Sequence, residues 1–140
     1  MLVFFDTNIL VYLFDQDVPD KRDRAKMLFQ QEVEAGRFVT STQVLQEFYV
    51  AATRKLAVPL PMADAEEAVR ALADLSIVPV DSSLILSAID RSRSMQVSFW
   101  DALIIEAALS VGATCLLTED LQHGRQIDGL RITNPFLSQE

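Results

Sequence analysis

Asp6, Glu47, Asp101 and Asp120 are the residues of this sequence best placed to do chemistry together. Asp6 ends the apolar run Leu2–Phe5, and Asp120 follows the apolar run Thr114–Leu117 with two residues between. Asp101 opens the apolar stretch Trp100–Ser110; at about 100° per residue it shares a helical face with Ile104, Ile105 and Ala108. Glu47 lies at the edge of the face formed by Val44, Phe48 and Ala51. A lone carboxylate directed at an apolar interior is expensive, so these positions call for compensation.

Taken singly, each acid has a plain structural explanation. Asp6 can cap the helix that follows it, and Ser98-Phe99-Trp100-Asp101 resembles a capping box with Asp in place of Glu. Glu47 can be a solvated helix residue and Asp120 a loop residue. Their joint placement points instead to a shared site. Two carboxylates about 4 Å apart repel by about 1 kcal/mol in water and about 4 kcal/mol at an effective dielectric of 20. A converging set therefore takes up protons or a divalent cation. Oxygen-only ligands select hard ions, Mg²⁺ or Mn²⁺. Zinc prefers His and Cys, of which the chain has one each. His123 reads as a surface loop residue.

The elements that position these acids follow from the apolar pattern. Leu2–Phe5 reads as a buried strand, and Ile9–Phe14 as a short helix entered through Asp6-Thr7-Asn8. Asp20–Glu34 is helical, stopped by Gly36, with a second strand at Arg37–Ser41. Helices are expected over Thr42–Leu56, ended by Pro59 and Pro61, and over Ala63–Leu75. A strand at Ile77–Val80 precedes a helix at Asp81–Ser94, with Leu84, Ile85, Ala88 and Ile89 inward. Trp100–Ser110 is a strongly apolar helix ended by Gly112, Thr114–Leu117 a strand, and Leu130–Thr133 a last edge strand. Short unalternating apolar strands separated by helices imply a parallel sheet covered on both faces. Ligands of such sheets gather at the carboxyl ends of the strands.

The bulk properties bound the function. The chain has 140 residues, 50% hydrophobic and 23% charged, which fits one compact domain over residues 1–140. Cys115, the only cysteine, has no partner for an internal disulfide, which suits a reducing cytoplasm. The apolar N-terminus lacks a basic leader region, and Asp6 and Asn8 interrupt it. The formal charge of −8 argues against non-specific nucleic-acid binding, unless the carboxylates hold cations. Lys21, Arg22, Arg24 and Lys26 read as a solvated helix face, whereas Arg91 and Arg93 are placed to flank the site. Trp100 reads as core packing beneath the site, with base stacking as the alternative.

The ordered set Phe4-Phe5-Asp6-Thr7-Asn8, Glu47, Phe99-Trp100-Asp101-Ala102 and Thr118-Glu119-Asp120-Leu121 resembles the PIN domain, and within it the VapC-like toxins. The likeness runs from end to end of the chain. It implies an α/β/α sandwich on a mainly parallel sheet and metal-dependent cleavage of single-stranded or structured RNA. It further implies catalytic and Mg²⁺- or Mn²⁺-ligating roles for Asp6, Glu47, Asp101 and Asp120, with Asn8 and Thr118 orienting those ligands. A homodimer and a cognate antitoxin, whose C-terminal segment covers the site, are also implied.

The alternatives weighed against this are a PIN-fold nuclease of RNA processing outside a toxin–antitoxin pair, a non-cleaving scaffold, and an aspartate-based phosphoryl-transfer domain. The phosphatase version of the last needs a second Asp where Asn8 stands. The receiver version needs a Lys after Thr114–Leu117, where the nearest base is Arg125.

Overall fold

The N-terminal apolar run forms β1 (Val3–Phe5) at the centre of the sheet, with Phe4 and Phe5 fully buried. The computed structural model describes residues 1–137. In chain order β1 is followed by α1 (Thr7–Tyr12), α2 (Pro19–Glu34), β2 (Phe38–Ser41), α3 (Thr42–Arg54), α4 (Met62–Ala73) and β3 (Ile77–Val78). Then come α5 (Ser82–Met95), α6 (Phe99–Ser110), β4 (Cys115–Leu117), β5 (Gln126–Ile127) and β6 (Leu130–Thr133).

The six strands lie in the order β3-β2-β1-β4-β6-β5. All neighbours are parallel except β5 and β6, which form an antiparallel hairpin. Register is set by Val3 opposite both Phe38 and Cys115, and by Phe5 opposite Leu117. Helices flank the sheet in the expected three-layer α/β/α arrangement. The chain steps from β1 through β2 to β3 on one side, then crosses to place β4 on the other side of β1. That reversal opens a crevice at the carboxyl ends of β1 and β4, where parallel sheets hold their ligands.

Packing makes this end rigid. Phe5, Phe29 and Phe38 meet around β1, β2 and α2 with ring centroids 4.9–6.2 Å apart. Phe14 of the segment after α1 meets Phe48 of α3 edge-on at 5.7 Å. Truncating a buried phenylalanine of this kind costs about 3–5 kcal/mol. Helix α6 is buried on nearly every side, through Ala102, Leu103, Ile104, Ile105, Ala107 and Ala108. Its backbone ends at Val111, followed by Gly112 at a φ of 69°, the left-handed conformation that suits glycine after a helix.

Three expectations are corrected. Leu130–Thr133 is not the edge; β5 pairs outside it through a turn at Asp128 and Gly129, whose φ values are 49° and 88°. The strand at Ile77 ends at Val78, because Val80 N–H leaves the ladder to donate to Thr42 Oγ1 at 3.1 Å. In α5, Ala88 is buried but Ile85 is exposed, since the contact with α6 is a narrow seam with Ala88 at its centre.

Candidate functional site

Asp6 stands directly after β1, 5% exposed, its backbone N–H donating to Leu117 O of β4 at 3.0 Å. One carboxylate oxygen accepts from Thr7 N–H at 2.7 Å, capping α1; the other accepts from the Thr118 hydroxyl at 2.7 Å. The capping role and the site role thus coincide in one residue. Burial pushes its pKa up from 3.8 to about 6, against the lowering effect of those two hydrogen bonds; Asp120 and Glu47 add repulsion. Thr118 is fully buried, and its oxygen also accepts from Asp120 N–H at 3.1 Å, tying the Asp6 carboxylate to the Asp120 backbone.

Glu47 is brought in by α3, which starts immediately after β2 because Ser41 caps it, accepting from Val44 N–H at 3.3 Å. Two partners hold the Glu47 carboxylate. The Thr7 hydroxyl donates to Oε1 at 2.8 Å, and Gln43 Nε2 donates to Oε2 at 3.4 Å. Gln43 Nε2 also donates to Trp100 O at 3.2 Å, joining α3 to the start of α6. Asn8 Oδ1 accepts from Glu119 N–H at 3.4 Å, which steadies the loop that carries Asp120.

Asp101 sits in the first turn of α6, half-buried, with its backbone N–H donating to Ser98 Oγ at 3.0 Å. Partial burial raises its pKa and the Ser98 hydroxyl lowers it; Asp120 and Glu47 raise it further by repulsion. Because α6 is buried almost all round, its apolar face does not single out Asp101; its place in the first turn does. Asp120 is exposed at the mouth.

Asp120 and Glu47 are each near enough to both Asp6 and Asp101 to raise their pKa by repulsion, so the four acids lie in one neighbourhood at the β1/β4 crevice. They are not collapsed onto one point. Among the described residues, no three Asp, Glu, His or Cys side chains are gathered tightly enough to share an ion. One or two carboxylates, with water and phosphate oxygens completing the shell, is the coordination Mg²⁺ prefers, so the oxygen donor set fits a hard cation. Among the described residues, two buried side-chain polar atoms lack partners, Asn8 Nδ2 and Gln43 Oε1, and both residues line the cleft. That cleft measures about 680 Å³ and is bounded by α1, α3, the start of α6 and the Asp120 loop.

A PIN-domain family model matches residues 3–127. The chain belongs to the PIN-domain family. This PIN domain has no match among curated protein sequences. Among solved structures it is similar to a toxin–antitoxin complex from Klebsiella pneumoniae, with 22% identity, a TM-score of 0.69, and coverage of 96% of this chain and 98% of that one. It is also similar to VapC20 of Mycobacterium tuberculosis, a sarcin–ricin-loop-cleaving toxin, with 22% identity, a TM-score of 0.66, and coverage of 84% and 91%. DNA-bound VapBC from Salmonella typhimurium is similar at 21% identity and a TM-score of 0.66, covering 96% and 99%.

The surroundings of the site in this PIN domain differ from expectation in three ways. Trp100 is 61% exposed and lines the cleft rather than packing beneath it, because Phe99 takes the inward place and meets it edge-on at 5.1 Å. Arg91 is taken up by Glu106, Asp128 and the Met95 sulfur, so it is not a free cation beside the acids. Lys21 is docked rather than simply solvated: it pairs with Glu119 and lies over the Tyr12 and Phe136 rings. His123 is exposed, its Nδ1 accepting from Asn134 N–H at 3.0 Å. Thr7 and Gln43 were missed as orienting residues. Thr7 lies inside the Asp-Thr-Asn motif, and Gln43 stands four residues before Glu47, the spacing that places two side chains on one helix face.

Proposed function

We propose that this PIN domain is a divalent-cation-dependent endoribonuclease, acting as the toxin of a toxin–antitoxin pair. The observation that carries the reading is that Glu47 and Asp120 stand close enough to both Asp6 and Asp101 to repel them, with no Lys or Arg bonded to any of the four among the described residues. Family membership and the toxins among the similar structures support it.

In this reading the four acids, one or two carboxylates to an ion, would hold Mg²⁺ or Mn²⁺, which would supply Lewis acidity toward water and phosphate. Thr118 and Thr7 fix the Asp6 oxygens; Thr7 and Gln43 fix Glu47; Asn8 steadies the Asp120 loop. A water oxygen attacks phosphorus, one carboxylate accepts its proton, and the P–O bond to the leaving oxygen breaks as that oxygen takes up a proton from solvent. One product carries a phosphomonoester and the other a hydroxyl. No side chain forms a covalent intermediate. The protein works as a cytoplasmic homodimer, silenced by an antitoxin that presents Arg or Lys to the acids, since a guanidinium pairs bidentately with a carboxylate. Among the described residues, no helix is long and apolar enough to cross a membrane.

RNA processing outside a toxin–antitoxin pair would use the same machinery. Phosphoryl transfer through Asp6 is disfavoured, because the place of the second acid is filled by Asn8, an amide with no proton to give. The deciding experiment is cleavage of total RNA by the purified protein with Mn²⁺ and with EDTA, alongside growth on expression with and without the protein of the adjoining gene. Cleavage that needs Mn²⁺, and arrest relieved by the neighbour, is expected. EDTA-resistant cleavage that His123→Ala removes would overturn the assignment.

A further inference from the structure

The cleft beside the acids is a poor binder of phosphate. Among its lining residues only Lys55 is cationic, against Asp15, Glu47 and Asp120. Lys21 and Arg91 are spent on other carboxylates. Phosphate neutralisation, which supplies most affinity in ordinary nucleic-acid binders, is therefore nearly missing here. The cleft instead offers apolar walls, Val11, Val50, Ala51 and Leu56, and one large aromatic face, Trp100. The indole lies against Phe99 at an interplanar angle of 75°, and Gln43, 4% exposed, holds the Trp100 backbone carbonyl, which steadies the segment that carries the ring. An exposed aromatic face flanked by apolar walls and short of cations suits a flat, apolar-faced ligand.

We propose that Trp100 is the platform on which one nucleobase of single-stranded RNA stacks, and that base contacts rather than phosphate contacts supply most of the RNA affinity. This rests on RNA being the substrate. Every base has a π-face, so stacking tolerates sequence.

Trp100 is the only tryptophan in the chain, so its fluorescence reports the proposed contact directly. The probe is a short single-stranded oligoribonucleotide in Ca²⁺, titrated in parallel by the anisotropy of a label on the RNA. Binding is expected to quench Trp100, while a matching abasic oligomer does neither. Trp100→Ala should weaken binding roughly 5- to 150-fold and Trp100→Phe only a few-fold. In Mn²⁺ assays Trp100→Ala should raise KM and spare kcat. The logarithmic salt slope should be shallow, about −0.7 for the single phosphate within reach of Lys55. Binding without quenching, equal affinity in Trp100→Ala, no RNA binding at all, or a salt slope of roughly −3 or steeper would each overturn the proposal. Quenching with no Mn²⁺-dependent cleavage supports stacking while removing the nuclease reading. Cleavage indifferent to Trp100→Ala does the reverse.

Discussion

Two regions of the same helix treat acidic side chains in opposite ways. About one and a half turns along α6 from Asp101, Glu106 is met by the Arg91 guanidinium, which reaches Asp128 as well. There the charge is neutralised inside the fold, and α5, α6 and the β5–β6 turn are locked together. At the start of α6, Asp101 faces Glu47 and Asp120 with no cation against it, and both push its pKa up. Glu119 is neutralised by Lys21, while Asp120 beside it is left bare. Sequence neighbours thus divide between holding the fold together and being left without a cationic partner among the described residues.

The sharpest break of this contrast is to remove charge at the bare end. Asp6→Asn and Asp101→Asn keep side-chain size and should each lower Mn²⁺-dependent RNA cleavage by about 100-fold or more, as expected when a ligand or water-activating group is lost. The variants should stay folded, which circular dichroism checks. Full activity in Asp101→Asn would remove it from the site.

The next contrast lies in stability without metal. Because the fold raises the Asp6 pKa from 3.8 to about 6, it favours the protonated acid. That contribution is complete below the unfolded value and is lost as pH rises through about 6, on the order of 3 kcal/mol by pH 7. Denaturant unfolding at pH 4.5 and pH 7 in EDTA should show about two-thirds of this loss in the wild type and much less of it in Asp6→Asn. Millimolar Mg²⁺ or Mn²⁺ should restore the wild type at pH 7 by binding the folded state. Equal pH dependence in the two proteins would mean that Asp6 is not held as described.

At the compensated end the effect should be on folding alone. Arg91→Met leaves Glu106 without its partner and should destabilise by about 2–3 kcal/mol, with cleavage per folded molecule unchanged. A loss of activity at full folding would put Arg91 back beside the site. The smallest effect is expected from His123→Ala, which gives up one surface hydrogen bond to Asn134 and should retain most activity.

The acids and the strands that carry them were readable because they obey short-range rules. An apolar run ending in Asp marks a strand end, and Ser98 three residues before Asp101 marks a helix start, as its bond to Asp101 N–H bears out. The hairpin was missed although Asp128-Gly129 is a strong two-residue turn signal, because β5 is only two residues long. Trp100 and Arg91 were misplaced for a different reason. Their surroundings are decided by partners distant in sequence, Gln43 at 57 residues and Glu106 at 15. No local pattern states which of Phe99 and Trp100 turns inward.

The ends of the sheet carry one more consequence. Its two outermost strands, β3 and β5, are each two residues long. So little unsatisfied backbone stands open at either margin that a foreign strand has almost nothing to extend. The fold is thereby guarded against fibril-like growth, and a polypeptide that joins it must be recognised through side chains on helices or in the cleft, not by lengthening the sheet.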